Sequence, residues 1–203
     1  MPFALIGEPM ADPLTEAEAR FRALRSYRLI AHSLSAEGDE QVLRYFYCKP
    51  GWVRIELVRP HRGVLLIHDP TARKVRLWPF GLGFSPPLNL APDNPLVLSP
   101  RGHRIDRSDV GALLENMRAL LGRGTLVSLG DAQIAARSAA GLEITGANAA
   151  DVAGVHRYRV WLSHDTFFPL RVQSYAVSGT LIETVDMADA EIDVRFPEHF
   201  FTP

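Results

Sequence analysis

The residues that could carry out chemistry are scattered along this chain. Among its seven histidines, His61, His68 and His103 lie near the carboxylates of Asp69 and Asp106 in sequence. No two histidines have the helical spacing of an H-E-x-x-H zinc site, and no paired Cys/His spacing occurs. Because these histidines adjoin predicted turns, we expect solvated side chains and no metal site.

Motifs for nucleophilic or cofactor chemistry are also missing. No serine lies in a G-x-S-x-G elbow, and the pair Gly81 and Gly83 precedes prolines where a dinucleotide fingerprint would precede a helix. The acidic residues near the end of the chain are expected to form a solvated face. They are Glu183, Asp186, Asp189, Glu191 and Asp193. We therefore predict no catalytic residue and no cofactor, and an enzyme is the least favoured functional class.

The composition narrows the remaining classes. The chain has 203 residues, which suits a single domain over 1–203, and 22 basic against 23 acidic residues give a net charge of -1. Nucleic-acid binding is not expected from such a balance. Cys48 is the only cysteine, so an intrachain disulfide is excluded. The first residues, MPFALIGEPM, lack the basic and long apolar regions of a signal peptide.

The elements that must position any site are mostly strands. Residues 1–14 are predicted to form a flexible arm, and the capping-box pair Thr15 and Glu18 predicts a short helix after it. From Tyr27 onward, apolar residues alternate with arginines, which is the period of strands with one covered face. Five consecutive strands in an antiparallel meander are expected up to Trp78, and further strands at 125–136, 141–147, 156–163, 170–178 and 180–196.

Two segments between these strand blocks could cover an apolar surface. The Pro-rich loop 80–105 carries many apolar side chains, which is unusual for a loop exposed to water. It could pack over one end of a barrel, or act as a lid that moves, and the two interpretations are compatible. The helix predicted at 106–122 has one apolar stripe, which would form ordinary core or line a cavity as a lid or plug helix.

The chain resembles a known family in both halves. The run RYFYCKPGWVRIELVRPHRGVLLIHDPTARKVRLW is similar to the early strands of the LolA/LolB-like lipoprotein-localisation factors: a strand ending in a basic-Pro pair, a Gly turn, and a strand with an arginine. The run YRVWLSHDTFFPLRVQSYAVSGTLIETVDMADAEIDVRFPEHFF follows the order of that family's last strands and turns. The resemblance implies an α+β, mostly β fold: an unclosed antiparallel β-barrel whose helices and Pro-rich loop cover an apolar cavity.

The same resemblance implies a function and a location. We expect a periplasmic, non-catalytic carrier that shields the acyl chains of lipids or lipoproteins. The alternative is a regulatory or scaffold module, like the RseB-like sensors, that binds a protein partner such as a membrane-bound protein.

Candidate ligand-binding residues follow from the apolar strand and helix positions. If the predicted register were wrong by one residue, the residues on the other face of each strand would line the cavity instead. The predicted cavity-lining residues are Trp52, Ile55, Leu57, Leu66, Leu77, Trp78, Leu113, Met117 and Trp161. By the resemblance, Arg54 is the gate that holds a lid closed; its alternative is an outward arginine paired with Glu56.

Overall fold

The computed structural model describes residues 12–203. This part of the chain forms two α-helices and one twelve-stranded antiparallel sheet. The helices are α1 (Pro13–Ala23) and α2 (Val110–Leu121). The strands are β1 (Ser26–Ser35), β2 (Glu40–Cys48), β3 (Trp52–Arg59), β4 (Leu65–Asp69), β5 (Lys74–Trp78), β6 (Leu88–Leu90), β7 (Gly124–Ile134), β8 (Arg137–Gly146), β9 (Arg157–Ser163), β10 (Pro169–Tyr175), β11 (Leu181–Asp186) and β12 (Glu191–Ile192).

The sheet consists of two meanders joined at β1. Its order is β6-β5-β4-β3-β2-β1-β11-β10-β9-β8-β7, and the short β12 also pairs with β1. Within the described residues no ladder joins β6 to β7, so the sheet does not close on itself. The predicted fold, a mostly β structure with an unclosed antiparallel sheet and two helices, is confirmed.

Both helices begin where an aspartate caps them. Asp12 caps α1 by accepting a hydrogen bond from the backbone N–H of Leu14 (3.2 Å), and Asp109 caps α2 through the N–H of Ala112 (3.2 Å). The predicted capping box at Thr15 is therefore corrected. The end of the predicted arm belongs to α1, with Leu14 fully buried, and residues 1–11 lie outside the described part.

The helix predicted at 106–122 is shorter than expected. A separate 3₁₀ turn at Ile105–Arg107 precedes it, because the chain is extended at Asp109 and helical geometry starts at Val110. The Pro-rich loop 80–105 also contains more structure than predicted, namely β6 and a 3₁₀ turn at Pro95–Val97. The strand predicted at 180–196 is split into β11 and β12.

The two faces of the first meander are covered by different parts of the chain. The inner face belongs to the main core, which also contains Leu114, Met117 and Leu120 of α2. The outer face carries an aromatic cluster from the C-terminal segment, in which the rings of Phe196 and Phe200 stack at 4.9 Å. Residues on opposite faces of β3 therefore have different environments.

Candidate functional site

A large apolar cavity lies between the inner face of the first meander and the segment that leads into α2. Its volume is about 610 Å³, within the range of roughly 300–1,000 Å³ for small-molecule sites. Leu96, on the covering segment, is 66% exposed and marks the open side of the cavity.

Alternate residues of six strands form the wall. Side chains of a strand point to opposite faces in turn, so the contributing residues of β1 to β5 all come from one face, and Val185 adds β11. The register aligns these positions across the sheet: Leu29 is opposite Tyr45, and Ile55 is opposite Leu66. The wall contains Tyr27, Leu29, Ala31, Leu43, Tyr45, Ile55, Leu57, Leu66, Leu77 and Val185.

The cover is the second part of the Pro-rich segment together with the start of α2. Asn94 caps the 3₁₀ turn by accepting from the N–H of Leu96 (3.0 Å). Val97 and Ile105 are buried residues of this cover, and together with Val110 they contact the cavity. This segment therefore lies over one end of the half-barrel, as the first interpretation predicted, whereas movement of it as a lid stays a prediction.

A polar cluster attaches this cover to the sheet. Arg101 Nη1 donates to Glu183 Oε2 (2.7 Å) and to Ser33 Oγ (3.0 Å), and Ser33 Oγ donates to the same carboxylate oxygen (2.8 Å). His103 Nδ1 lies 4.0 Å from the other oxygen of Glu183. All four residues line the cavity, so it has a charged region in a mostly apolar surface. We name these residues the polar cluster.

Two tyrosines connect the deep end of the cavity to α2. The hydroxyl of Tyr27 accepts from the N–H of Val110 (3.1 Å), and the hydroxyl of Tyr45 lies 2.9 Å from Ser108 Oγ. Burial raises the pKa of both phenols well above the usual value. Burial likewise raises the pKa of the helix-capping carboxyl of Asp109. The hydroxyls of Tyr27 and Tyr45 therefore stay protonated and serve as hydrogen-bonding groups.

The structure places four of the predicted lining residues in the cavity wall. Ile55, Leu57, Leu66 and Leu77 all contact the cavity. They lie on three adjacent strands, β3 to β5, and point to the same face because the antiparallel register aligns them.

The two tryptophans of this meander lie on the other face, which corrects their predicted placement. Trp52 and Trp78 pack with Leu65, Ile67 and Phe201 in a separate cluster. The reason is that side chains alternate between the two faces of a strand. Trp78 follows Leu77 directly and therefore lies on the opposite face, and Trp52 is three residues from Ile55 and therefore lies on the face opposite to Ile55.

The remaining three predicted residues also lie away from the cavity. Trp161 packs with a cluster on β7, β8 and β10 that includes Ile134 and Leu170. Met117 is fully buried and Leu113 packs against the main core, because α2 lies on β7, β8 and α1 and contacts the cavity only through Val110. Their predicted placement is therefore corrected.

Arg54 has a different role from the predicted gate. Its Nη1 donates to the backbone oxygen of Phe200 (2.7 Å), its guanidinium lies 4.3 Å from that phenyl ring, and it pairs with Glu56 at 2.7 Å. Arg54 lies on the outer face of β3, because it alternates with Val53 and Ile55. The alternative of pairing with Glu56 is thus observed, and Arg54 holds the C-terminal segment instead of the cavity cover.

The predicted lining set lacks the contributions of β1, β2 and β11 and the polar cluster. Tyr27, Leu29 and Ala31 have the same alternation as β3, and this signal could have identified them. Glu183 meets Ser33 through the pairing of β1 with β11, and it meets Arg101 because the covering segment lies over this pairing. No local sequence pattern reveals either contact.

Other features of the described residues give weaker candidates. A cavity of about 310 Å³ under α1 is smaller, and its lining includes Arg20, Asp165 and Asp193. In residues 12–203, no group of three or more His, Cys, Asp or Glu side chains is suited to hold a metal ion. No helix in this range is long and apolar enough to cross a membrane. The large apolar cavity is therefore the candidate site.

Comparison with known proteins agrees with this geometry at the level of the fold. No protein-family model matches the chain, and no curated protein has significant sequence similarity to it. Solved structures do match. An uncharacterised conserved protein from Thermus thermophilus is 10% identical, with a TM-score of 0.58 and coverage of 94% of this chain and 91% of that chain. The chain shares its fold.

Two further structures have the same fold. The MucA/MucB complex of Pseudomonas aeruginosa matches with 16% identity and a TM-score of 0.58, over 95% of this chain but only 60% of that chain. The lipoprotein LppX of Mycobacterium tuberculosis matches with 11% identity and a TM-score of 0.55, over 91% and 95%. The resemblance found in the sequence is thereby confirmed for the fold. At these identities the likeness is one of fold and not of function.

Proposed function

We propose that this protein is a periplasmic, non-catalytic carrier that shields the acyl chains of a lipid or lipoprotein in its apolar cavity. The observation that supports this proposal most directly is the cavity itself, whose wall is formed by alternate, mostly apolar residues of six strands. The covering segment closes part of it with further apolar residues, including Leu96, Val97 and Leu98.

The physical need for such a protein follows from the hydrophobic effect. Removing one CH₂ group from water contributes about 0.8 kcal/mol, so a chain of sixteen carbons in water is unfavourable by about 12 kcal/mol. A concave apolar surface removes most of this cost without chemistry. The fold shared with LppX, which is named a lipoprotein, is consistent with a role of this kind outside the cytoplasm.

A substitution that fills the cavity tests the proposal. Leu43→Trp adds volume to the wall from β2, and we expect the affinity for a fluorescent fatty acid to fall about ten-fold or more, because the probe loses the space it occupies. The matched control is Ile30→Trp on the outer face of the neighbouring β1, where the side chain is 38% exposed. The affinity of that variant should be unchanged.

Two results would contradict the carrier function. One is equal probe affinity in Leu43→Trp and Ile30→Trp, with both variants folded by circular dichroism. The other is the absence of any bound amphiphile when the protein is purified from its host and studied by lipid mass spectrometry. Co-purification of a membrane protein without lipid would instead support the alternative, a regulatory or scaffold module, for which the fold shared with the MucA/MucB complex offers a precedent.

A further inference from the structure

An exposed apolar turn lies between β5 and β6. Phe80 is 72% exposed, Phe84 is 80% exposed and Leu82 is 43% exposed. Gly81 and Gly83 separate them, both with positive φ (86° and 87°), a backbone conformation that glycine adopts without strain. The segment 79–92 contains no charged residue. We name Phe80, Leu82 and Phe84 the aromatic tip.

The aromatic tip lies beside the turn between β3 and β4 at the cavity. A Cβ atom on Gly81 would be 3.1 Å from the carbonyl oxygen of Gly63, so the two turns are in close contact. Pro60 and His61 of one turn and Pro79 of the other line the cavity. The tip is therefore part of the rim of the opening.

This rim carries positive charge. The turn sequence RPHRG contains Arg59 and Arg62 and no acidic residue. Arg59 pairs with Glu40 at 3.0 Å, whereas Arg62 is exposed and directly precedes Gly63, the residue in close contact with Gly81 of the aromatic tip. Exposed phenyl rings thus lie next to a cation.

We propose that the aromatic tip and Arg62 dock on the surface of an anionic phospholipid bilayer, which brings the cavity opening to the lipid. Phenyl and leucyl side chains insert at the boundary between headgroups and acyl chains, and an arginine near the surface is attracted by anionic headgroups. A protein partner needs a surface of complementary shape with closely packed apolar anchors. The tip has single side chains that alternate with glycines, and such side chains can insert between lipids without a complementary pocket.

This inference goes beyond ligand binding, because it assigns the place where a ligand is exchanged. Only the assignment of ligand exchange rests on the proposed function, because docking itself does not require an occupied cavity. The two are separable in experiment. Vesicle binding without probe binding would leave docking intact and contradict the carrier, and the reverse would contradict docking alone.

The test is flotation of the full chain with vesicles of phosphatidylcholine, with and without about one-third phosphatidylglycerol. We expect binding to the anionic vesicles and weaker binding to the neutral ones. The double variant Phe80→Ser, Phe84→Ser should lower the partition coefficient about ten-fold or more, because both rings lose their contact with lipid. Arg62→Gln should lower it about five-fold on anionic vesicles only.

The matched control is Val127→Ser with Leu129→Ser, two exposed apolar residues (54% and 41%) on β7 at the other edge of the sheet. Its binding should equal that of the unchanged protein. Circular dichroism and thermal unfolding verify that all variants fold.

Three outcomes would overturn the proposal. The first is no flotation of the unchanged protein with either vesicle, and the second is equal flotation of the Phe80→Ser, Phe84→Ser variant. The third is a lower sedimentation coefficient of that variant in the absence of vesicles, which would assign the aromatic tip to contacts between two copies of the chain.

Discussion

At the scale of single residues, the polar cluster shows how a charged pair is accommodated beside an apolar cavity. The side chains of Arg101 and Glu183 are only 19% and 10% exposed. The two side chains carry opposite charges, and Ser33 donates a further hydrogen bond to the carboxylate of Glu183. Such a pair stabilises a structure only while both partners are present.

Removal of Arg101 should therefore destabilise the protein. Arg101→Gln leaves Glu183 largely buried without its cation, and we expect the free energy of unfolding to fall by about 2 kcal/mol. Urea denaturation measures this change. The control is Arg104→Gln, which removes a more exposed pair with Asp106 (46% and 19% exposed) and should destabilise the protein clearly less. An equal loss in the two variants would disprove the structural role of the polar cluster.

The residue scale is also where sequence reasoning succeeded and failed most clearly. Ile55 and Leu57 were placed in the wall because alternation along β3 is strong. Trp52 was grouped with them for its size and apolar character, yet alternation forbids that grouping. Arg54 was assigned by resemblance to a cover it does not touch, because the position of the C-terminal Phe200 against β3 has no sequence signal.

At the scale of elements, close packing between strands and helices requires a glycine at particular positions. Gly146 ends β8 opposite Gly124 of β7. A Cβ atom there would overlap the carbonyl oxygen of Ala150 and come within 2.9 Å of Leu120 on α2. The glycine thus permits the close contact between β8, the following turn and α2.

Gly146→Ala should therefore destabilise the protein, although alanine is the less flexible residue. We expect a loss of about 2 kcal/mol from overpacking, measured by chemical denaturation. Gly122→Ala is the control: Gly122 follows α2 with φ -59°, and the nearest atom to its Cβ would be 3.5 Å away. That change should be neutral or slightly stabilising. Similar losses in both variants would contradict the close contact at Gly146.

Elements themselves were predicted well and their ends less well. The strands from β1 to β5 follow strong alternation with Pro and Gly turns, and all five were expected. The start of α2 was predicted too early, since Asp106, Ser108 and Asp109 are all good capping residues. Which one caps the helix depends on the contacts of Tyr27 and Tyr45 with this turn, and these contacts come from two strands that are distant in sequence, β1 and β2.

At the scale of the whole molecule, the buried tyrosines make the protein less stable as the pH rises above 10. Burial raises the pKa of Tyr158 to about 12, and it raises those of Tyr27 and Tyr45 well above 10. Above pH 10 the unfolded chain releases protons that the folded chain retains. The unfolded state then binds fewer protons, so the free energy of unfolding falls as the pH rises.

We expect this decrease to reach at most about 1.4 kcal/mol per pH unit for each such tyrosine between pH 10 and 12. Urea denaturation at several pH values measures the total slope. Tyr158→Phe removes one ionisable group and should reduce the slope by the amount for one proton. An unchanged slope in this variant would show that Tyr158 ionises at the same pH in both states.

The order of the strands has a consequence for the time course of folding. Within residues 12–203, almost every ladder joins neighbours in the chain, and the exceptions are the pairings of β1 with β11 and β12. Ser33 and Glu183, which meet at this seam, are 150 residues apart. Local pairings form before distant ones because closing a long loop costs more chain entropy. Each meander is thus expected to fold as a kinetic unit, with the seam forming last.

Because the cavity wall includes both β1 and β11, the complete cavity arises only in that final step. A molecule that contacts the whole wall therefore binds the assembled protein more tightly than the first meander alone. Occupancy therefore stabilises the assembled protein, and with it the pairing of β1 with β11, by mass action.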